Sequence, residues 1–135
     1  MSITKRRVAA AIATAVAASA TTLVAASPAF ANVTVTTLTS GLNVRDCYHP
    51  TPKAAYPGYG CTTIVATLEN NLSIRLVCQH AGDGVGPQND YYWDYILFPA
   101  TGAHGSGEGY VTDWYVNTGV ASPPFRDTRV PICDY

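Results

Sequence analysis

Groups able to do chemistry are sparse in this chain, and their spacing argues against a catalytic centre. General acid–base work needs titratable side chains that converge on one atom, and the candidates are His49, His80, His104 and nine carboxylates. The histidines fall in three different expected loops, and His104, between Ala103 and Gly105, has no sequence neighbour to orient it. No Gly-x-Ser-x-Gly elbow, His-Glu-x-x-His pair or glycine-rich phosphate loop occurs. The Gly-rich stretch 80–90 holds only Asp83 and Asp90 as acids, too few for the alternating oxygen ligands of a calcium loop. No catalytic residue, metal or cofactor is therefore expected, and an enzyme is not the favoured reading.

What remains is contact by rings. Nine tyrosines and two tryptophans supply amphipathic area at low entropic cost, suited to peptide or sugar. Tyr48, His49, Tyr56, Tyr59 and Tyr92 are the candidates for ligand contact. Trp114 is ambiguous. The competing reading of each ring is core packing or a cover over a disulfide.

The chain opens with Lys5-Arg6-Arg7, an Ala-rich apolar run from Val8 to Ala26, and then Ser27-Pro28-Ala29-Phe30-Ala31. A charged start, an apolar middle and an A-x-A site are the parts of a secretory signal peptide, with cleavage expected after Ala31. A retained anchor is the rival, disfavoured by the weak hydrophobicity of Ala and Thr and by Pro28 before the site. The Arg pair leaves the export route open. The mature part, 32–135, has length for one domain, with five basic and nine acidic residues and a formal charge of −4. That surface does not suit nucleic acid or an anionic membrane. Asn32-Val33-Thr34 and Asn71-Leu72-Ser73 are glycosylation sequons, relevant only in a host that glycosylates.

Cys47, Cys61, Cys78 and Cys133 all lie in this exported part, where disulfides are favoured over metal or redox roles. Three pairings are possible and the sequence alone does not choose. Cys47 with Cys61 and Cys78 with Cys133 is preferred, because the first closes a Pro-rich loop and the second ties the tail to a strand. By loop entropy these contribute about 3 and about 4 kcal/mol.

The elements that must position these groups read as strands. The chain is organised around Tyr91-Tyr92-Trp93-Asp94-Tyr95-Ile96-Leu97-Phe98, whose alternate residues put aromatics on both faces, as in the central strand of a small sheet. Val33 to Leu38 reads as an edge strand, and Leu42 to Arg45 as a second. Thr62 to Leu68 and Leu72 to Gln79 alternate with period two and read as a hairpin about Glu69-Asn70-Asn71. In the second of these, Leu72, Ile74, Leu76 and Cys78 share a face. Residues 80–90 and 99–109 read as loops. The tail from Asn117, with Pro123, Pro124 and Pro131, reads as an extended strap held by Cys133.

Leu42-Asn43-Val44-Arg45, Trp93 with Ile96, and Gly109-Tyr110-Val111 followed by Tyr115 resemble, in order, the L-N-V-R, W-x-x-I/V and G-Y/W-V-x-x-x-Y-L elements of bacterial SH3 domains. The chain is similar to small exported actinobacterial members of that family. The family's usual Ser-Gly-Pro after L-N-V-R is replaced by Asp46-Cys47-Tyr48-His49-Pro50. The resemblance implies an all-β fold: an SH3-like barrel of five or six short antiparallel strands with two disulfides, after a cleaved signal peptide. It also implies a ligand groove between 46–61 and 80–92, with Tyr48, His49, Tyr56, Tyr59 and Tyr92 on or beside its walls, and it places Trp93, Tyr110 and Tyr115 on strands or a terminal turn, which makes them mainly structural. The expected function is that of a secreted, monomeric, non-catalytic module binding a cell-wall peptide or peptidoglycan. The alternatives are a disulfide-stapled protein that binds or inhibits an extracellular protein, and a small wall hydrolase.

Overall fold

A computed structural model describes residues 33–47 and 56–134; the expected leader 1–31, Tyr48 and His49 lie outside the described residues. The chain is all-β. Its strands are β1 (Val33–Thr36), β2 (Leu42–Arg45), β3 (Ile64–Leu68), β4 (Ser73–Val85), β5 (Asp90–Phe98) and β6 (Gly107–Thr112), followed by a single 3₁₀ turn, Asp113–Tyr115. They form one antiparallel sheet in the order β1-β4-β5-β6-β2-β3, curled into a half-barrel. β1 lies at an edge and the aromatic strand β5 near the centre, as their compositions predict. Tyr110 and Val111 lie on β6, and Tyr115 follows in the 3₁₀ turn.

Three expectations are corrected. The segments on either side of Glu69-Asn70-Asn71 do not pair: β3 pairs with β2, while β4 lies between β1 and β5. The buried Thr37 separates them. Its hydroxyl donates to Glu69 O at 2.6 Å and accepts from Leu72 N at 2.9 Å, and its backbone bonds both Leu72 and Asn71. Those bonds use the polar groups a hairpin turn would have shared.

Residues 80–85 are strand rather than loop. β4 runs on to Val85, with Ala81 opposite Tyr92 and Val85 opposite Asp90. Its glycines permit close approaches. A Cβ on Gly82 would sit 1.9 Å from Pro57 O, and one on Gly84 would sit 1.8 Å from Asn89 Oδ1.

The alternation of β4 also fails after Leu76, because a bulge places Leu76 opposite Ile96 but Cys78 opposite Tyr95. The extra residue swaps the faces. Leu76 belongs to the aliphatic core, while Cys78, with Val77 packed alongside, joins a buried sulfur and aromatic cluster, and Gln79 is fully buried as well.

Two packed groups result, one on each face of β5. Leu42, Val44, Leu68, Ile74, Leu76, Ile96, Phe98 and Val111 fill the concave side, where each fully buried aliphatic side chain contributes about 1.5–3 kcal/mol. Trp93, Tyr110 and Val85 pack with the cysteines on the other. The disulfides are Cys47–Cys61 and Cys78–Cys133, the preferred pairing, each with Cα atoms 5.0 Å apart. The second anchors the tail, where Gln79 N donates to Pro131 O and Cys133 N to Gln79 O. Among the described residues no helix is long and apolar enough to cross a membrane.

Candidate functional site

β2 ends where the Cys47–Cys61 loop begins, and this junction builds an open cleft of about 230 Å³. Thr39 to Asn43 and Arg45 line it together with Tyr59, Val85, Trp93, Thr112 and Tyr115. Gly41 turns the chain into β2 with φ 74°, a conformation glycine adopts without a Cβ penalty.

Tyr59 is held from several directions while the residue stays 57% exposed. Its edge meets Trp93 at 6.0 Å, and the Arg45 guanidinium lies 5.4 Å from its centroid. Its backbone N–H donates to Asp83 Oδ2 at 2.8 Å. Trp93 is itself fixed, with its indole N–H donating to Asp83 O at 2.9 Å. Arg45 is half-buried and donates one N–H to Cys61 O at 2.9 Å. A ring held in this way can accept a ligand with little ordering cost.

The expected ligand residues are not brought together. Tyr59 lines the cleft, whereas Tyr56 is exposed outside it and Tyr92 is half-buried with its ring 5.0 Å from Tyr91. Nor do the described parts of the two expected walls stand apart. Asp83 N donates to Pro57 O at 3.3 Å, so loop 56–61 rests on the end of β4 and the open space lies on the β2 side of Tyr59. Arg45, Thr39, Thr112 and Tyr115 were not among the expected contacts. Arg45 was legible only as the outward-facing partner of Val44, and the loop that folds over it is distant in sequence.

A second region collects buried acids. Asp94 on β5 is wholly buried, and its Oδ1 accepts from Gln79 Nε2 at 2.7 Å; the same amide reaches Asp113 Oδ1 at 3.2 Å. Asp113 and Asp90 line a cavity of about 380 Å³ with Gln88, Trp114 and Thr118. Desolvation, reinforced by the neighbouring Asp94 charge, pushes the Asp113 carboxyl up to about 10. Desolvation likewise raises Asp94 to about 7 and raises Asp90. Among the described residues Asp94 Oδ2 has no hydrogen-bond partner, and the burial of these neighbouring carboxyls favours their neutral, protonated forms.

Across Gln79, Arg126 Nη1 and Asp127 N donate to Oε1 at 2.8 and 2.9 Å, locking the strap to β4. Asp127 is held below the usual carboxylate range, its burial outweighed by hydrogen bonds from Arg129. His104 is oriented after all. Its Nδ1 faces Gly105 O at 2.8 Å and its Nε2 faces Glu69 Oε2 at 2.9 Å. Both partners are acceptors, which favours imidazolium and raises the His104 pKa. Among the described residues no group of three His, Cys, Asp or Glu is arranged to hold a metal ion.

No protein-family model, curated protein or solved structure matches the chain.

Proposed function

We propose that this chain is an exported, non-catalytic binding module that recognises a peptide of the cell wall through the cleft beside Tyr59. The observation that carries the reading is Tyr59, more than half exposed as a residue yet with its ring against Arg45 and Trp93 and its backbone tied to Asp83. A solvent-facing ring with no ligand would not need that support. The size of the cleft, about 230 Å³, is below that of usual small-molecule pockets and suits the end of a peptide better than a length of glycan. Export is supported by the leader-like segment before Asn32 and by the two disulfides, which fit an oxidising compartment. The bacterial SH3 resemblance of Leu42-Asn43-Val44-Arg45 and Gly109-Tyr110-Val111 favours a wall ligand over other peptides.

Sedimentation of the oxidised protein with purified peptidoglycan tests this. The parent is expected in the pellet and to be released by soluble stem peptides cut from the same wall. Tyr59→Ala is expected to stay in solution while unfolding within a few degrees of the parent. A parent that stays in the supernatant would end the wall reading, and a Tyr59→Ala variant that pellets as before would move the site elsewhere.

A further inference from the structure

Arg45 is the feature of the cleft that its rings do not explain. A guanidinium carries five N–H donors and does not deprotonate in proteins. Among the described residues it has one hydrogen-bond acceptor, Cys61 O, and one ring face, Tyr59. Among the described residues no carboxylate pairs with it, although the ion pairs Arg129–Asp127 and His104–Glu69 show that the fold can place acids beside cations. Nor are acids scarce, since they outnumber basic residues nine to five after Ala31.

A half-buried cation without a counter-charge, lining a cleft, is costly unless an anion arrives. Tyr59 holds the guanidinium plane at one side, and the Cys61 bond uses one edge, leaving further donors for the cleft. Planar donors in that setting match a carboxylate, which takes two parallel N–H bonds. The hydroxyl-bearing residues Thr39, Ser40 and Thr112 add neutral polar groups on the same walls, with no acid among the lining residues to repel an anion.

We propose that the cleft is a carboxylate-anchoring subsite, in which Arg45 pairs with the free terminal carboxylate of a short peptide whose last side chain lies against Tyr59. This rests on the wall-binding reading above and narrows it to stem peptides that end in a free acid.

The experiment has two arms. In the first, purified peptidoglycan is used as isolated and after carbodiimide amidation of its carboxylates, with the parent, Arg45→Gln and Arg45→Lys. In the second, N-acetyl-alanyl-alanine and its C-terminal amide are titrated into the isotopically labelled parent, reading the Arg45 Nε–H resonance. The free acid is expected to shift that resonance and the amide to leave it in place. Amidated wall and Arg45→Gln are each expected to bind about ten- to hundredfold more weakly, with Arg45→Lys between Gln and the parent.

Equal binding of native and amidated wall, or a full-strength Arg45→Gln, would overturn the carboxylate anchor and leave the wall reading standing. A resonance shifted by the acid and not the amide, without wall sedimentation, would keep the anchor and remove the wall. Silence in both arms would remove both. Because the second arm uses the parent protein, a variant that fails to fold does not shelter the proposal.

Discussion

The cleft at Arg45 and the interior around Asp94 are opposite failures of charge balance within one half-barrel. Among the described residues the first is a cation without a paired acid; the second is three carboxyls, Asp90, Asp94 and Asp113, with no Lys or Arg among the groups acting on them. They are resolved differently because the groups differ. A carboxyl can take a proton as desolvation raises its pKa through neutrality, whereas a guanidinium keeps its charge and needs an anion or water. The buried acids are therefore complete without a ligand, and the half-open cation is not. Unbalanced charge signals binding only where the group cannot neutralise itself and a route to it remains open.

The strap separates the two regions, since its residues Thr118, Arg126 and Asp127 reach the acid side while no strap residue lines the Arg45 cleft. Removing its anchor with Cys78→Ala and Cys133→Ala gives the largest expected effect, a loss of about 4 kcal/mol for a loop spanning 55 positions. Denaturant unfolding measures it. The carboxyl resonances of Asp94 and Asp113 should move in the double variant, and the Arg45 Nε–H should not. Movement of both would show that the regions are mechanically one.

Gln79→Leu comes next, at about 3 kcal/mol, because it strips partners from Asp94 Oδ1, Arg126 Nη1 and Asp127 N together. Equilibrium unfolding of this variant with its disulfides intact tests the polar lock alone.

Specific to the acids is the response to pH. The unfolded value for an aspartate is 3.8, and Asp94 and Asp113 are raised to about 7 and about 10. Between these limits the folded state binds more protons than the unfolded one, so the stability they contribute is full below pH 4 and is lost as pH rises through 7 and 10. The melting temperature is expected to be higher at pH 5 than at pH 9. Asp113→Asn, an amide in place of the protonated acid, should flatten that slope and stabilise the protein at pH 9. A slope unchanged by the substitution would mean that the carboxyls do not hold their protons in the fold.

The sheet was largely legible in the sequence, and the charge sites were not. Period-two alternation located most of β2 to β5, and the placement of aromatics on both faces of 91–98 anticipated a central strand packed on both sides. The pairing of β3 failed because Thr37, over thirty positions away, occupies the turn. The face of Cys78 failed because a one-residue bulge changes no composition yet inverts everything after it. Asp94 within an apolar strand and Gln79 at the end of another were visible, and polar residues at interior positions invite the question of their partners. Those partners, Asp113 and Arg126, come from segments that no local pattern connects. For Tyr59 the ring type was informative and the neighbours were not, since Arg45 and Trp93 approach it from different strands.

The pair His104–Glu69 supplies the balanced case, with cation and acid both present at 2.9 Å near the surface. His104 is raised, first by Gly105 O and then by Glu69, so its contribution is full below its unfolded value of 6.5 and fades as pH rises through the raised one. Glu69 is lowered, chiefly by its backbone bond and then by His104, so its contribution is present above 4.5 and is lost as pH falls through the lowered value. The pair thus acts in mildly acidic solution. Glu69→Gln is expected to bring the His104 titration down toward 6.5 by proton NMR, while the thermal midpoint at pH 5.5 changes within measurement error and that at pH 9 not at all. With Glu69 open to solvent, the acid of this pair keeps in the folded chain much of the solvation it has in the unfolded one, which is why a complete pair matters less here than a buried amide. A loss at pH 5.5 as large as that of Gln79→Leu would mean that the loop around His104 is part of the structural core, and that burial, not completeness, fails as the measure separating these sites.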